Sequence, residues 1–194
     1  MKRIDLTVGV LISLALLSSC NKSKVTRAIE NELASGVKYD SLFLNFKFGD
    51  TREQFFANGW EQNKKNLIAQ GPENRNIQYI LTPEDSTKSR ILMLFYPDFD
   101  TDLKVKKMDL QFGYMSWAPW NPQFFSDSLM FAIQDTLMSW YGGNEFLLIP
   151  KKEKRTKDVW VKVDGNRLIS LAIKNDQRIE GYIKDMSHPD NMKK

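Results

Sequence analysis

The sequence predicts an α+β fold: antiparallel sheet, with two main helices packed on one face. Three observations predict it. Short runs of strand-like residues recur between clusters of Gly, Pro, Asn and Asp, as strands do between turns. Two longer segments, around 50–67 and 122–141, carry apolar residues at helical spacing instead. The overall order is a helix, then strand, helix, three strands, helix and four strands, which suits a layered antiparallel sheet.

The first twenty residues set the context for everything after them. Lys2 and Arg3 form a positive end, Val8 to Leu17 are mostly apolar, and small Ser18 and Ser19 precede Cys20, the layout of a secretory signal with its cleavage point. Roughly ten apolar residues are too few to span a bilayer, which takes about twenty. An ordinary signal peptide ending in Cys is one reading. The other rests on likeness: Leu17-Ser18-Ser19-Cys20 resembles the lipobox of bacterial lipoproteins. The resemblance implies that residues 1–19 are removed, that the Cys20 thiol carries a diacylglyceryl group, and that its amine can also be acylated with a palmitate-like chain. Two or three acyl chains, at about 0.8 kcal/mol per buried methylene, make a durable membrane anchor. An aspartate after the cysteine holds such proteins at the inner membrane, so by analogy Asn21 favours the outer one, although Asp5 is atypical of a signal. The expected organisation is signal peptide 1–19, lipidated N-terminus with tether and short helix 20–37, one α+β domain 38–186, and a flexible tail 187–194.

Charge excludes little and cysteine content excludes more. The chain has 28 basic and 24 acidic residues, a small excess typical of a solvated surface rather than of a basic tail. Its single cysteine goes to the lipid, so no disulfide framework is expected despite the oxidising compartment. Stability has to come from packing, for which 12 Phe, 5 Trp and 6 Tyr supply apolar area.

Element by element, Val25, Ala28, Ile29 and Leu33 form a narrow helical stripe that Gly36 can terminate. Leu42, Leu44, Phe46 and Phe48 alternate with Phe43, Asn45 and Lys47, predicting a strand with one buried face. After Gly49, either Asp50 with Glu53 or Thr51 with Gln54 has capping-box spacing, and Phe56, Trp60 and Leu67 can share one helical face, although Asn58-Gly59 interrupts it. Strands follow at 77–82, 90–96 and 105–115, the middle one apolar on both faces, as a central strand is. Pro122 to Tyr141 carries Phe125, Leu129, Ile133, Leu137 and Tyr141 at four-residue steps until Gly142-Gly143. Strands at 146–149, 158–163, 167–174 and 178–184 come last, with Asp164-Gly165-Asn166 and Asn175-Asp176-Gln177 as hairpin turns. A Phe-Gly strand end precedes a helix rich in Phe twice, which raises two β-α-β-β-β half-repeats as an option beside chance recurrence. Gly49-Asp50-Thr51-Arg52-Glu53-Gln54-Phe55 is also similar to the strand-to-helix entry of small outer-membrane lipoproteins of the SmpA/OmlA kind. The likeness covers only those residues, and that family's shorter sheet does not accommodate this chain's strand content.

Catalytic chemistry is not legible. His188, the one histidine, lies in the tail, where a general base is not held to its substrate. Common zinc ligand sets, a nucleophile elbow and phosphate- or dinucleotide-binding glycine loops do not occur. Asp98, Asp100, Asp102 and Asp109 match positions 1, 3, 5 and 12 of a calcium loop, but Leu103 stands where glycine makes the turn and the twelfth position is not Glu. No cofactor or metal is expected. Lys151, Lys152, Lys154, Arg155 and Lys157 crowd one loop, either a soluble turn or a contact for anionic lipid or polymer. Nucleic acid does not suit the compartment.

The expected function is therefore non-catalytic binding or scaffolding at the envelope, with membrane contact through Cys20 and an envelope protein or glycan as partner. A hydrolase with carboxylates distant in sequence is the rival. The candidate contact residues are Tyr114, Trp117, Trp120, Phe124, Phe131 and Met138. The stretch 114–122 holds two Trp and two Pro and continues neither strand nor helix. Phe124, Phe131 and Met138 recur every seven positions opposite the core stripe of the following helix. Two readings stay open: Trp117 and Trp120 cap that stripe as core, or the aromatic faces form a stacking platform for sugars or a partner.

Overall fold

The computed structural model describes residues 23–83, 88–151 and 157–192. Among these, eight strands form one antiparallel sheet: β1 Ile68–Gln70, β2 Ile77–Leu81, β3 Ile91–Phe99, β4 Val105–Tyr114, β5 Leu147–Ile149, β6 Val159–Asp164, β7 Arg167–Asn175 and β8 Arg178–Asp185. The helices are α1 Lys24–Ala34, α2 Arg52–Lys64, α3 Ser126–Tyr141 and a single turn, α4 Pro189–Met192. The fold is α+β. The stretch Leu17-Ser18-Ser19-Cys20 that resembles a lipobox, and residues 152–156 of the basic loop, lie outside the described residues.

Strand order across the sheet is β1-β2-β3-β4-β8-β7-β6-β5. Each half is a helix followed by a four-stranded meander with a short first strand, and the meanders meet through their last strands, β4 against β8, with Leu110 opposite Gly181. The order reads alike from both ends, as a twofold repeat does. The repeated unit is thus α-β-β-β-β, not the expected β-α-β-β-β, because residues 42–48 do not form a strand. Leu44 and Asn45 both adopt left-handed backbone (φ 51° and 63°) and reverse the chain. The Leu42 N–H donates to the Phe46 carbonyl at 2.9 Å, and the Phe46 N–H to that of Phe43 at 3.0 Å. Phe43, expected on the solvent face, is buried with Leu42, Phe46 and Phe48. An alternating pattern cannot distinguish an extended strand from this tight turn, since both bury every second side chain or nearly so.

The Thr51–Gln54 capping box opens α2: Gln54 Oε1 accepts the Thr51 N–H at 2.8 Å and Thr51 Oγ1 accepts the Gln54 N–H at 3.3 Å. Asn58-Gly59 does not break the helix, and the Asn58 amide instead donates to the Leu44 carbonyl at 2.9 Å. The face buried is not the expected one. Phe55 points inward, stacked on Phe46 at 4.5 Å and edge-on to Phe99 at 6.0 Å, while Phe56, Trp60 and Leu67 are exposed. One residue is about 100° of helix, so seating Phe55 in that aromatic cluster turns Phe56 outward.

A 3-10 turn at Pro122–Phe124 and an extended Phe125 precede α3. Leu129, Met130, Ile133 and Leu137 of α3 share one core with Phe55 and with Met93, Phe95, Phe112, Ile169 and Ile183 of the sheet, so both main helices cover the same face. Gly142 and Gly143, at φ 57° and 75°, end α3. Among the described residues the opposite face is covered only at one end, where Val25 and Ile29 of α1 pack on Val161, Val163 and Leu168.

The β6–β7 hairpin is buried from Val161 to Leu171, charges included. Lys162 Nζ lies 2.7 Å from Asp164 Oδ2 and donates to the Asn144 carbonyl at 2.6 Å. The Arg167 guanidinium sits over the rings of Tyr141 at 4.1 Å and Tyr39 at 4.8 Å, and donates to the Ser41 carbonyl at 3.3 Å. Glu32 of α1 accepts the Gly165 N–H at 2.7 Å and the Asn144 amide at 2.7 Å. Burial raises the pKa of the Tyr141 phenol, with the neighbouring Arg167 charge opposing.

Of the expected tail 187–194, His188 and Asn191 are hydrogen-bonded to the domain. His188 Nε2 lies 3.0 Å from Asp100 Oδ2, and the Asn191 amide donates to the Lys106 carbonyl at 3.0 Å and the Asp185 carbonyl at 2.8 Å. Among the described residues no helix is long and apolar enough to cross a membrane.

Removing one member of a buried ion pair strands the other in low dielectric, at a cost of about 3–5 kcal/mol. Asp164→Asn should therefore lose stability on that order in denaturant unfolding, and adding Lys162→Met should recover part of it.

Candidate functional site

Two concave surfaces of similar size lie on opposite faces of the sheet. The first is a groove of about 720 Å³ between α1 and the half-covered face. Strand alternation builds it: Val161, Leu168, Ala172 and Leu94 project from this face, and Val25 and Ile29 of α1 form one wall. Charged and polar groups form the rim. Lys107 Nζ lies 3.1 Å from Asp109 and 3.6 Å from Asp98. Burial disfavours the Lys107 charge, yet those two carboxylates outweigh it and raise the pKa.

Lys184 stands directly across the strands from Lys107, and both ammonium groups lie over the Tyr182 ring, at 5.7 and 5.8 Å. Burial, then repulsion from Lys107, lowers the Lys184 pKa. Lys157, at the end of the basic loop, pairs with Glu180 at 2.9 Å on the same rim.

The second surface is a cleft of about 680 Å³ on the helical face, and here two of the sequence-predicted residues meet. Tyr114 and Phe124 line it with ring centres 5.3 Å apart, beside Tyr79, Asp135 and Trp140. Burial raises the Tyr114 pKa, with hydrogen bonding to Ser128 opposing. The remaining predicted residues do not converge. Trp117 is half-buried, 6.5 Å from Phe125, with its Nε1 buried and unpaired among the described residues. Met138 is half-buried, whereas Trp120 is 84% and Phe131 70% exposed. The loop thus divides between the two readings, Trp117 turned into the protein and Trp120 out of it.

The aspartates of the calcium-like spacing serve other ends. Asp100 Oδ1 accepts the N–H groups of Lys104 at 2.8 Å and Asp102 at 2.9 Å, which shapes the β3–β4 turn, and Asp98 and Asp109 hold Lys107. Both ring nitrogens of His188 are engaged, Nε2 with Asp100 and Nδ1 accepting the Asp190 N–H at 3.3 Å. This histidine fastens the tail to the turn.

Sequence reasoning missed the α1 groove. No periodicity signals it, because its residues come from six strands and a helix, from Val25 to Met186 in the chain. The one available sign was β3, apolar on both faces, which requires a second covered surface. Comparison with known proteins finds no matching family model, no matching curated protein and no matching solved structure.

Two outcomes follow from these placements. Trp117→Ala should cost about 3 kcal/mol or more in thermal or denaturant unfolding, as large-to-small changes at packed sites do, while Trp120→Ala should leave the melting temperature unchanged. The Lys104 and Asp102 amides and His188 hold the Asp100 carboxyl below its ordinary pKa of 3.8 against the effect of burial, the Lys104 bond foremost. Stability from a depressed carboxylate is complete above the unfolded-state pKa and is lost as pH falls through the native one. Melting curves taken from neutral pH down past 3.8 should therefore fall less steeply for Asp100→Asn than for the unaltered chain.

Proposed function

We propose that this chain is a lipid-anchored, non-catalytic binding protein of the cell envelope, most consistent with the outer membrane, that holds a partner protein in the groove between α1 and the half-covered sheet face. The observation that carries the reading is the make-up of that groove: an apolar floor enclosed by a rim of paired charges and an aromatic ring. Non-obligate protein interfaces have this anatomy, with an apolar, charge-depleted centre and a polar rim. Its volume of about 720 Å³ admits the side chains of a docked segment.

Position relative to the anchor supports it. Lys24, where α1 begins, is four residues past Cys20, a reach of at most about 14 Å. If Cys20 carries lipid, the α1 wall of the groove stays close to the bilayer surface, and a membrane-resident partner meets it at high local concentration.

Cys20→Ser should move the chain from membrane to soluble fractions, and unchanged membrane association would refute the anchor. Photo-crosslinking residues placed at Ala172 and Tyr182 should capture one envelope protein in intact cells, while the same group at Phe131, on the helical side, should not. Equal capture from all three positions, or an enzymatic turnover abolished by a single Asp or Glu substitution, would overturn the binding assignment.

A further inference from the structure

A third groove, of about 560 Å³, runs beside α2 and the edge strand β1. Phe56 and Trp60 stand one helical turn apart on the outward face of α2, 44% and 63% exposed, and Tyr96 of β3, 42% exposed, lines the same groove. Phe56 packs edge-on against Phe55 at 5.5 Å, yet both it and Trp60 leave large aromatic area in water, which is unfavourable unless something covers it. Beside the rings and the aliphatic Ile68, Ala69 and Ile77, the groove is lined by amides. Gln70, Asn74 and Asn76 line it, and among the described residues no hydrogen bond engages their side chains; Asn63 uses only its Nδ2, donating to the Ile68 carbonyl at 2.8 Å.

The amides sit on a fixed support. The Gly71 N–H donates to the Asn76 carbonyl at 2.8 Å, and Asn74 holds a left-handed backbone at φ 56°. A side chain at residue 71 would strike the Asn76 backbone, so glycine is required for this closure. Binding groups held this way lose little freedom when a ligand arrives.

We propose that this groove is a binding site for a neutral saccharide. The rings and amides of the lining together match that chemistry. A pyranose offers flat C–H faces for Trp60, Phe56 and Tyr96, and hydroxyls that both donate and accept, as amides do. A wholly apolar ligand would bury those amides without partners, at a penalty. An anionic ligand calls for cations that form charge-assisted hydrogen bonds. Among the described residues Arg75 is the one charged residue lining the groove; of the cations beside it, Arg52 lies 5.8 Å from the Phe56 ring, and Lys64, whose ammonium lies 5.8 Å from the Trp60 ring, is paired with Glu61 at 2.9 Å. The site does not depend on the protein-binding groove beneath α1: the linings share only Asn76.

Calorimetric titration of the full chain with neutral hexasaccharides built from glucose (α- and β-linked), mannose, xylose and N-acetylglucosamine tests this directly. At least one should bind. Trp60→Ala and Asn74→Gly, the latter keeping the left-handed backbone, should each weaken that binding about tenfold or more without lowering the melting temperature, and Trp120→Ala, exposed elsewhere, should leave it unchanged. Absence of binding across the panel up to about 10 mM overturns the proposal. So does binding that survives Trp60→Ala and Asn74→Gly together. A Trp60→Ala effect confined to self-association, seen by sedimentation, also overturns it and assigns the groove to a second copy of the chain.

Discussion

The structure is organised around one buried turn. Asp164-Gly165-Asn166-Arg167 joins β6 to β7, and parts of the chain distant in sequence bond to it. Asn166 Oδ1 accepts the Tyr39 N–H at 2.6 Å, its amide donates to Asp185 at 2.8 Å, and its carbonyl accepts the Met186 N–H at 2.6 Å. Asp164 Oδ1 accepts the Asn144 N–H at 2.8 Å just after α3, and Glu32 reaches in from α1. Hydrophobic burial has no direction and cannot by itself choose which loop lies against which turn. A directional polar network can, because each buried donor or acceptor left without its partner is costly. Removing Arg167 from water lowers its pKa, and Tyr141, Asp164 and Tyr39 partly restore it, which is how a buried cation is kept here between two rings.

That turn also explains why the two sheet faces differ. Both halves put their long helix on the same face, where Phe and branched aliphatic residues make one continuous core across β4 and β8. Among the described residues the second face carries only α1, which contributes no fully buried residue of its own and is secured at its C-terminal end by Glu32. A face covered at one end and open at the other is what creates the groove. At the opposite edge the short β1 leaves room beside α2 for the aromatic and amide groove, so the two proposed sites occupy different margins of one sheet.

Glycine is required at two places in this arrangement for reasons of space as well as backbone. Gly143 and Gly165 have positive φ, and a side chain on either would overlap the Asp164 carboxylate or the Val37 carbonyl respectively. Both belong to the turn and its surroundings, not to either groove.

Most strands, the α1 and α3 helices and the hairpin turns were legible in the chain, because period and turn chemistry are local properties: Gly142-Gly143 ends α3, and Asp164-Gly165-Asn166 turns where it should. The likeness of Leu17-Ser18-Ser19-Cys20 to a lipobox is likewise local. What went unread was decided between segments. Residues 42–48 alternate like a strand but turn at Leu44-Asn45, because Phe43 and Phe46 gain a shared aromatic core only when the chain folds back. On α2, Phe55 and Phe56 are equally apolar neighbours, and only the position of Phe46 and Phe99 selects which is core and which is surface. Charged Lys162, Asp164 and Arg167 would be assigned to solvent by residue type, and only the convergence of α1, α3 and the 37–41 segment makes their burial tolerable. Local pattern specifies elements, whereas burial is a property of what arrives from elsewhere in the chain, and both grooves are made of burial that was left incomplete.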